Sequence, residues 1–135
     1  MLDFSKCTLQ EACDYAVKKM VAQKSRCKDG EGCLYFDGDR RCAVGWLLDA
    51  GGLTEEDITC WGGVVNLVRN SQQRLPPKLR SFLEAHALAL AALQRFHDKD
   101  SRAERASAAH DLQVYHGVDT SGEAWQEWVK LDILG

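Results

Sequence analysis

Residues 77–97, PKLRSFLEAHALALAALQRFH, contain the stretch that decides the fold. A helix over residues 85–93 of this stretch would be apolar on nearly every side, and His86 is the one polar residue in that run. A helix that is apolar all round is covered by neighbours on several sides, because none of its faces is suited to water. Pro77 fits the first turn of such a helix, where a backbone N–H has no partner within the helix. The stretch therefore predicts one helix over 77–97 that forms the centre of the fold.

Helix signals recur on both sides of this stretch. Thr8-Leu9-Gln10-Glu11 is a capping box, in which the threonine hydroxyl and the glutamate each satisfy a backbone N–H. It predicts a helix that runs to about Lys24. Gly51-Gly52 and Gly117 are typical of helix ends. Further helices are predicted over 43–50, over 54–70 with an interruption at 61–63, over 101–116, and from a second capping box at 120–123 onward.

A short hairpin is predicted between the first two helices. Cys33-Leu34-Tyr35-Phe36 has strand character, and Asp37-Gly38 favours a tight turn. Arg40-Arg41-Cys42 would return as the second strand. The chain is thus predicted to be mainly α, with about five helices around the central apolar helix (77–97) and a small β-hairpin near 33–42. Its length of 135 residues is typical of one domain, residues 1–135.

The composition limits the classes of partner. The chain carries 17 basic and 20 acidic residues, and residues 98–135 hold eight of the acidic ones against four basic ones. Phosphate contacts need clustered Lys and Arg, so we expect no direct nucleic-acid binding. The N-terminus has no apolar signal segment, and no run approaches the ~18 apolar residues of a membrane span. We therefore expect a cytoplasmic protein that does not contact a membrane.

Six cysteines raise the question of metal and catalysis. None of their spacings is that of a zinc ligand pair, so we predict reduced thiols, no metal and no cofactor. A small zinc module in which Cys33 and Cys42 meet across the hairpin stays open as an alternative. So does a Cys-dependent hydrolase, because Cys42 follows Arg40-Arg41 and precedes a helix N-terminus, both of which lower a thiol pKa. The base of such a hydrolase would be a histidine, but all four histidines lie in the helical C-terminal half. We therefore expect that the chain is not an enzyme.

Two charged groups are candidates for binding. Glu55, Glu56 and Asp57 lie within five residues of Trp61, and an acidic cluster beside an aromatic residue favours docking of a basic protein surface. Ordinary helix-start chemistry explains the same acids equally well. The second group is basic, and its members are Arg69, Arg74, Lys78 and Arg80. Because no acidic residue lies between Asp57 and Glu84, this group is a candidate anion site or the core of a nucleic-acid-binding module.

Two motifs resemble a known group of proteins. Residues 33–45, CLYFDGDRRCAVG, resemble a motif of small uncharacterised phage and prophage proteins, in which a Cys-x-Tyr strand and turn lead into an Arg-Cys-Ala-(Val or Ile)-Gly helix. Residues 93–98, LQRFHD, resemble their Leu-Gln-x-x-His-Asp segment, and His116-Gly117 a later His-Gly. The chain departs from the pattern at 47–49, where it reads Leu-Leu-Asp without the usual proline. From the residues themselves, Gly45 is expected to permit close approach of another backbone.

The resemblance implies a function of a particular kind. Small phage proteins of this type are expected to be non-enzymatic, and to bind and inhibit a host macromolecular complex in the host cytoplasm. A nucleic-acid-handling defence system is the leading expectation for that complex, which would make the chain an anti-CRISPR-like inhibitor. The expected partner is a host protein or protein complex with a basic surface.

Overall fold

The computed structural model describes residues 2–24, 28, 29, 32, 33, 35–37, 40–58, 62–70 and 72–131, with only the backbone for 28, 29, 32 and 33. Seven α-helices lie in this part of the chain: α1 Leu9–Gln23, α2 Ala43–Ala50, α3 Val64–Arg69, α4 Pro77–Ala85, α5 Ala87–Asp98, α6 Arg102–His116 and α7 Glu123–Lys130. Two short antiparallel hairpins pair β1 (Lys28–Asp29) with β2 (Gly32–Cys33), and β3 (Phe36–Asp37) with β4 (Arg40–Arg41). The predicted class, mainly helical with a small hairpin, is confirmed. None of the described helices is long and apolar enough to cross a membrane.

Local capping chemistry sets several helix ends as predicted. The Thr8 hydroxyl accepts from the Glu11 N–H at 3.1 Å, and the Glu11 carboxylate accepts from the Thr8 N–H at 2.9 Å. Gly117 ends α6 with φ at 67°, a left-handed conformation that glycine adopts without strain. The prediction of a capping box at 120–123 is wrong. Gly122 is the N-cap of α7 and makes no side-chain cap bond, and the Thr120 hydroxyl instead donates to the Ala109 carbonyl oxygen at 3.4 Å.

The prediction of one continuous helix over 77–97 is wrong, because the helix breaks at His86. There the backbone leaves the helical region, with φ at −121° and ψ at 21°. The halves pack on different neighbours: α4 contacts α3 and α5, whereas α5 contacts α2, α3, α4 and α6. Tertiary packing therefore overrides a sequence that locally favours an unbroken helix. The placement of the whole 77–97 segment at the centre is not confirmed.

The core joins all seven helices and the second hairpin. Tyr35 and Phe36 from that hairpin are buried with the inward faces of the helices. Helix α1 packs against α2 and α7, and the Trp125 indole N–H donates to the Asp14 carboxylate at 2.8 Å between α7 and α1. The first and last helices are thereby held side by side.

Gly45 lies where the second hairpin crosses the start of α2. A Cβ atom on Gly45 would lie 2.1 Å from the Tyr35 carbonyl oxygen, far inside any normal contact. The same carbonyl accepts from the Cys42 N–H at 3.2 Å. The expectation that Gly45 permits close approach of another backbone is therefore confirmed.

Arg105 is a buried cation that the sequence analysis did not single out. Its Nε donates to the Val129 carbonyl at 3.0 Å, and its guanidinium also donates to the carbonyls of Asp100 and Leu131. These bonds tie the link between α5 and α6 to the end of α7. A charged side chain is tolerated there because several carbonyl oxygens replace its water.

Candidate functional site

The predicted acidic group forms a single 3₁₀ turn, Glu55–Asp57. The Asp57 carboxylate accepts from the Thr54 N–H at 2.7 Å and from the Thr54 hydroxyl at 3.0 Å. The prediction of a longer helix starting at Thr54 is wrong, because Ile58 is extended and buries its side chain in the core. All three carboxylates of the turn are exposed. Trp61, the fourth predicted member, lies outside the described residues.

A buried amide holds this turn in place. Gln73 is buried, and its Nε2 donates to the Asp57 carbonyl at 2.8 Å and to the Arg74 carbonyl at 3.2 Å. A hydrogen bond made away from water keeps its geometry, because breaking it leaves a polar group unsatisfied. The acidic turn is thus fixed against the segment 72–76.

These two segments enclose an open groove of about 510 Å³, which we call the acidic groove. Glu56 and Asp57 line this groove, and so does Arg74 from the predicted basic group. The remaining lining is three apolar residues and one amide: Leu53, Leu75, Pro76 and Gln72. The structure therefore brings together members of two groups that the sequence analysis treated separately.

The four predicted anion-binding residues make different contacts. The Arg80 guanidinium donates to the carbonyls of Val68, at 2.8 Å, and Gln73, so it holds α3 to the segment before α4. Lys78 lines a different groove, beside Phe4 and the N-terminus of α4. Arg69 is exposed at the end of α3. Anion binding by this group stays a prediction, and Arg74, Lys78 and Arg80 have separate surroundings.

The two motifs that carry the phage resemblance meet in the fold. The Val44 N–H donates to the Gln94 side-chain oxygen at 3.2 Å, which joins the start of α2 to α5. The His97 Nδ1 lies 2.7 Å from the Asp98 carboxylate, and the His97 ring stacks on Trp128 with centroids 5.6 Å apart. These contacts make the motifs parts of one packed junction.

No protein-family model, curated protein or solved structure matches this chain.

The cysteines that the structure describes are free thiols in structural surroundings. Cys42 is fully buried, and its sulfur accepts from the Gly45 N–H at 3.3 Å as the cap of α2. Burial raises the pKa of Cys13 to about 12, and it also raises the pKa of the half-buried Cys7. In the described part of the chain, no group of three or more His, Cys, Asp or Glu side chains is placed to hold a metal ion. The side chain of Cys33 lies outside that part, so the zinc alternative stays a prediction. The hydrolase alternative, which uses Cys42 and a histidine, also stays a prediction.

Exposed apolar side chains appear where the sequence did not point to them. Trp125 and Trp128 are core residues, and Trp46 is partly buried. By contrast, Leu88 is 71% exposed, although it lies in the apolar run that predicts burial on all sides. The large hydrophobic residues with high exposure in the described ranges are Leu88, Val114 at 56% and Tyr115 at 75%.

Proposed function

We propose that this chain is a non-enzymatic, phage-type protein that binds and inhibits a host macromolecular complex through the acidic groove. The partner surface is basic, and a nucleic-acid-handling defence complex of the host is the class we favour. The observation that carries the proposal is the turn Glu55–Asp57, whose three acidic residues are exposed. The buried Gln73 side chain fixes this turn by its hydrogen bond to the Asp57 carbonyl.

A cluster of carboxylates on an ordered turn suits a basic protein surface for two reasons. Charges of one sign steer an oppositely charged partner and raise the rate of association. A turn that is already ordered loses little conformational freedom on binding, so more of the interaction energy appears as affinity.

The walls of the acidic groove add selectivity. Leu53, Leu75 and Pro76 offer apolar surface for the aliphatic stem of a lysine or arginine, whose charged head can reach Glu56. Arg74 repels a second basic group placed on its side of the groove, which restricts the orientations that a partner can take.

The test reverses charge without damaging the turn. Asp57 caps Thr54, so the variant changes only the neighbouring acids, Glu55→Lys and Glu56→Lys. We expect binding of the host partner to weaken by at least about tenfold, because the reversed charges then repel its basic surface. The matched control, Glu123→Lys with Glu127→Lys, makes the same charge change on exposed positions of α7.

The measurement is comparative capture from host lysate, with each immobilised variant and quantitative mass spectrometry of the bound proteins. Proteins that the wild type and the α7 control retain and the Glu55/Glu56 variant loses would be the partner. Equal capture by all three forms would contradict the proposal. Loss in an Arg69→Glu, Lys78→Glu variant instead, with captured nucleic acid that dissociates as salt rises, would indicate nucleic-acid binding.

A further inference from the structure

Helices α5 and α6 form a hairpin with an exposed apolar end. Residues 99–101 join them, so the start of α5 and the end of α6 lie at the same end of the pair. Leu88 is in the first turn of α5, and Val114 and Tyr115 are in the last turn of α6. The three exposed large hydrophobic residues of the described chain therefore share one end of this hairpin.

A shallow groove of about 240 Å³ lies between the two helices. Its lining comes from α5, α6 and their link: Ala92, Arg95, Lys99, Glu104, Ser107, Ala108 and Asp111. Residues four apart on a helix lie on one face. Leu88 is therefore one turn from Ala92, and Tyr115 one turn from Asp111, so both continue the walls of the groove.

The two walls carry opposite charge. Arg95 and Lys99 lie on the α5 side, and Glu104 and Asp111 lie on the α6 side. Within the part of the chain that the structure describes, Arg95, Lys99 and Asp111 make no ion pair, and Glu104 accepts only from the neighbouring cap residue. The hairpin thus presents one basic and one acidic edge beside an apolar end.

We infer that the occupant of this face is a second copy of the chain. A two-fold axis that runs along the groove places the basic wall of each copy opposite the acidic wall of the other. It also brings the two apolar ends, Leu88, Val114 and Tyr115, against each other. A face that is complementary to itself in this way is what a two-fold dimer requires.

The charge pattern also selects the direction of the axis. An axis across the groove would place Arg95 and Lys99 of both copies together, and like charges in contact disfavour association. The favoured arrangement packs the α5–α6 hairpins of the two copies as four helices, an arrangement that buries apolar seams well. It uses none of the residues of the acidic groove, so it stands independently of the proposed function.

The test is a charge exchange between copies of the full chain. One variant, Arg95→Glu with Lys99→Glu, has an all-acidic face, and the other, Glu104→Lys with Asp111→Lys, has an all-basic face. Molar mass is measured by light scattering and sedimentation up to about 1 mM, which detects even a millimolar dimer. We expect the wild type to reach twice 15.1 kDa and each variant alone to dimerise at least about tenfold more weakly.

Mixing the two variants separates this interface from a loss of folding. The acidic face of one then opposes the basic face of the other at both contacts, so the equimolar mixture should form a heterodimer at concentrations where each variant alone stays largely monomeric. Circular dichroism checks that each variant is folded, and Glu123→Lys with Glu127→Lys should dimerise as the wild type does. A wild type of 15.1 kDa at every concentration, or folded variants that fail to pair when mixed, would overturn the inference.

Discussion

The contact between Gly45 and the second hairpin gives the sharpest prediction of stability. Replacement of Gly45 by alanine adds one methyl group in the first turn of α2. Considered as a helix residue alone, alanine would stabilise α2 by about 1 kcal/mol relative to glycine. The added carbon, however, would lie 2.1 Å from the Tyr35 carbonyl oxygen and 3.0 Å from the Tyr35 carbonyl carbon. Because the obstacle is backbone, no side-chain rotation relieves the clash.

The size of the effect follows from what must move. Overpacking of a tight core typically costs about 1–3 kcal/mol. We expect a cost near the upper end of this range, because the backbone of Tyr35 cannot move aside as a side chain can. Separation of the hairpin from α2 also breaks the bond from the Cys42 N–H to the Tyr35 carbonyl, which contributes about 1 kcal/mol. After subtraction of the gain in helix propensity, we expect Gly45→Ala to lower the free energy of unfolding by about 2–3 kcal/mol.

Urea denaturation followed by circular dichroism measures this change, and the melting temperature should fall on the order of 10 °C. Gly63→Ala is the matched control. Gly63 has φ at −73° and no described atom within 4 Å of an added Cβ, so its variant should lose no more than about 1 kcal/mol as a poorer helix cap. A Gly45→Ala protein as stable as the wild type would refute the close-approach argument.

Two further predictions concern buried groups. Arg105→Met should lower the free energy of unfolding by about 2–4 kcal/mol, because it leaves the carbonyls of Val129 and Leu131 without their donor. Chemical denaturation measures this free energy. A loss below about 0.5 kcal/mol would contradict the stabilising role of Arg105. Cys13, with a pKa raised to about 12, should react with a thiol reagent at pH 8 far more slowly than the half-buried Cys7. Peptide mass spectrometry measures the two rates, and equal rates would contradict the burial of Cys13. Since the unfolded thiol ionises near 9.0 and the folded one near 12, the stabilisation from the buried neutral thiol is complete below pH 9.0 and is lost progressively as pH rises toward 12.

The candidate sites illustrate what residue patterns leave open. The acidic cluster was predicted from three consecutive carboxylates, and the structure adds the groove that Arg74 and the apolar residues 75 and 76 build around it. Gln73, which fixes the turn, carries no signal in the sequence, because nothing distinguishes it from the neighbouring Gln72 in the same polar loop. Its role arises only when segments 55–57 and 72–76 come together in space.

Much of the helical architecture was determined by the sequence itself. The capping box at 8–11, the helix start at Pro77 and the glycine end at Gly117 are local, because each depends on atoms within about four residues. These local interactions are present in the chain before any distant segment packs against it. Gly45 differs from them, because the contact with Tyr35 that requires a residue without a Cβ forms only when the second hairpin packs on α2.

Tertiary structure alone decided the break at His86 and the exposure of Leu88. The run 85–93 is apolar on nearly every side, so it contains no polar face that would tell which residue turns to water. That choice depends on where α2, α3, α4 and α6 lie around α5, and the contacts with α2 and α3 join residues far apart in the chain. Burial of one side of the run leaves another side uncovered, and for this physical reason the most hydrophobic stretch of the sequence carries one of the most exposed hydrophobic side chains of the fold.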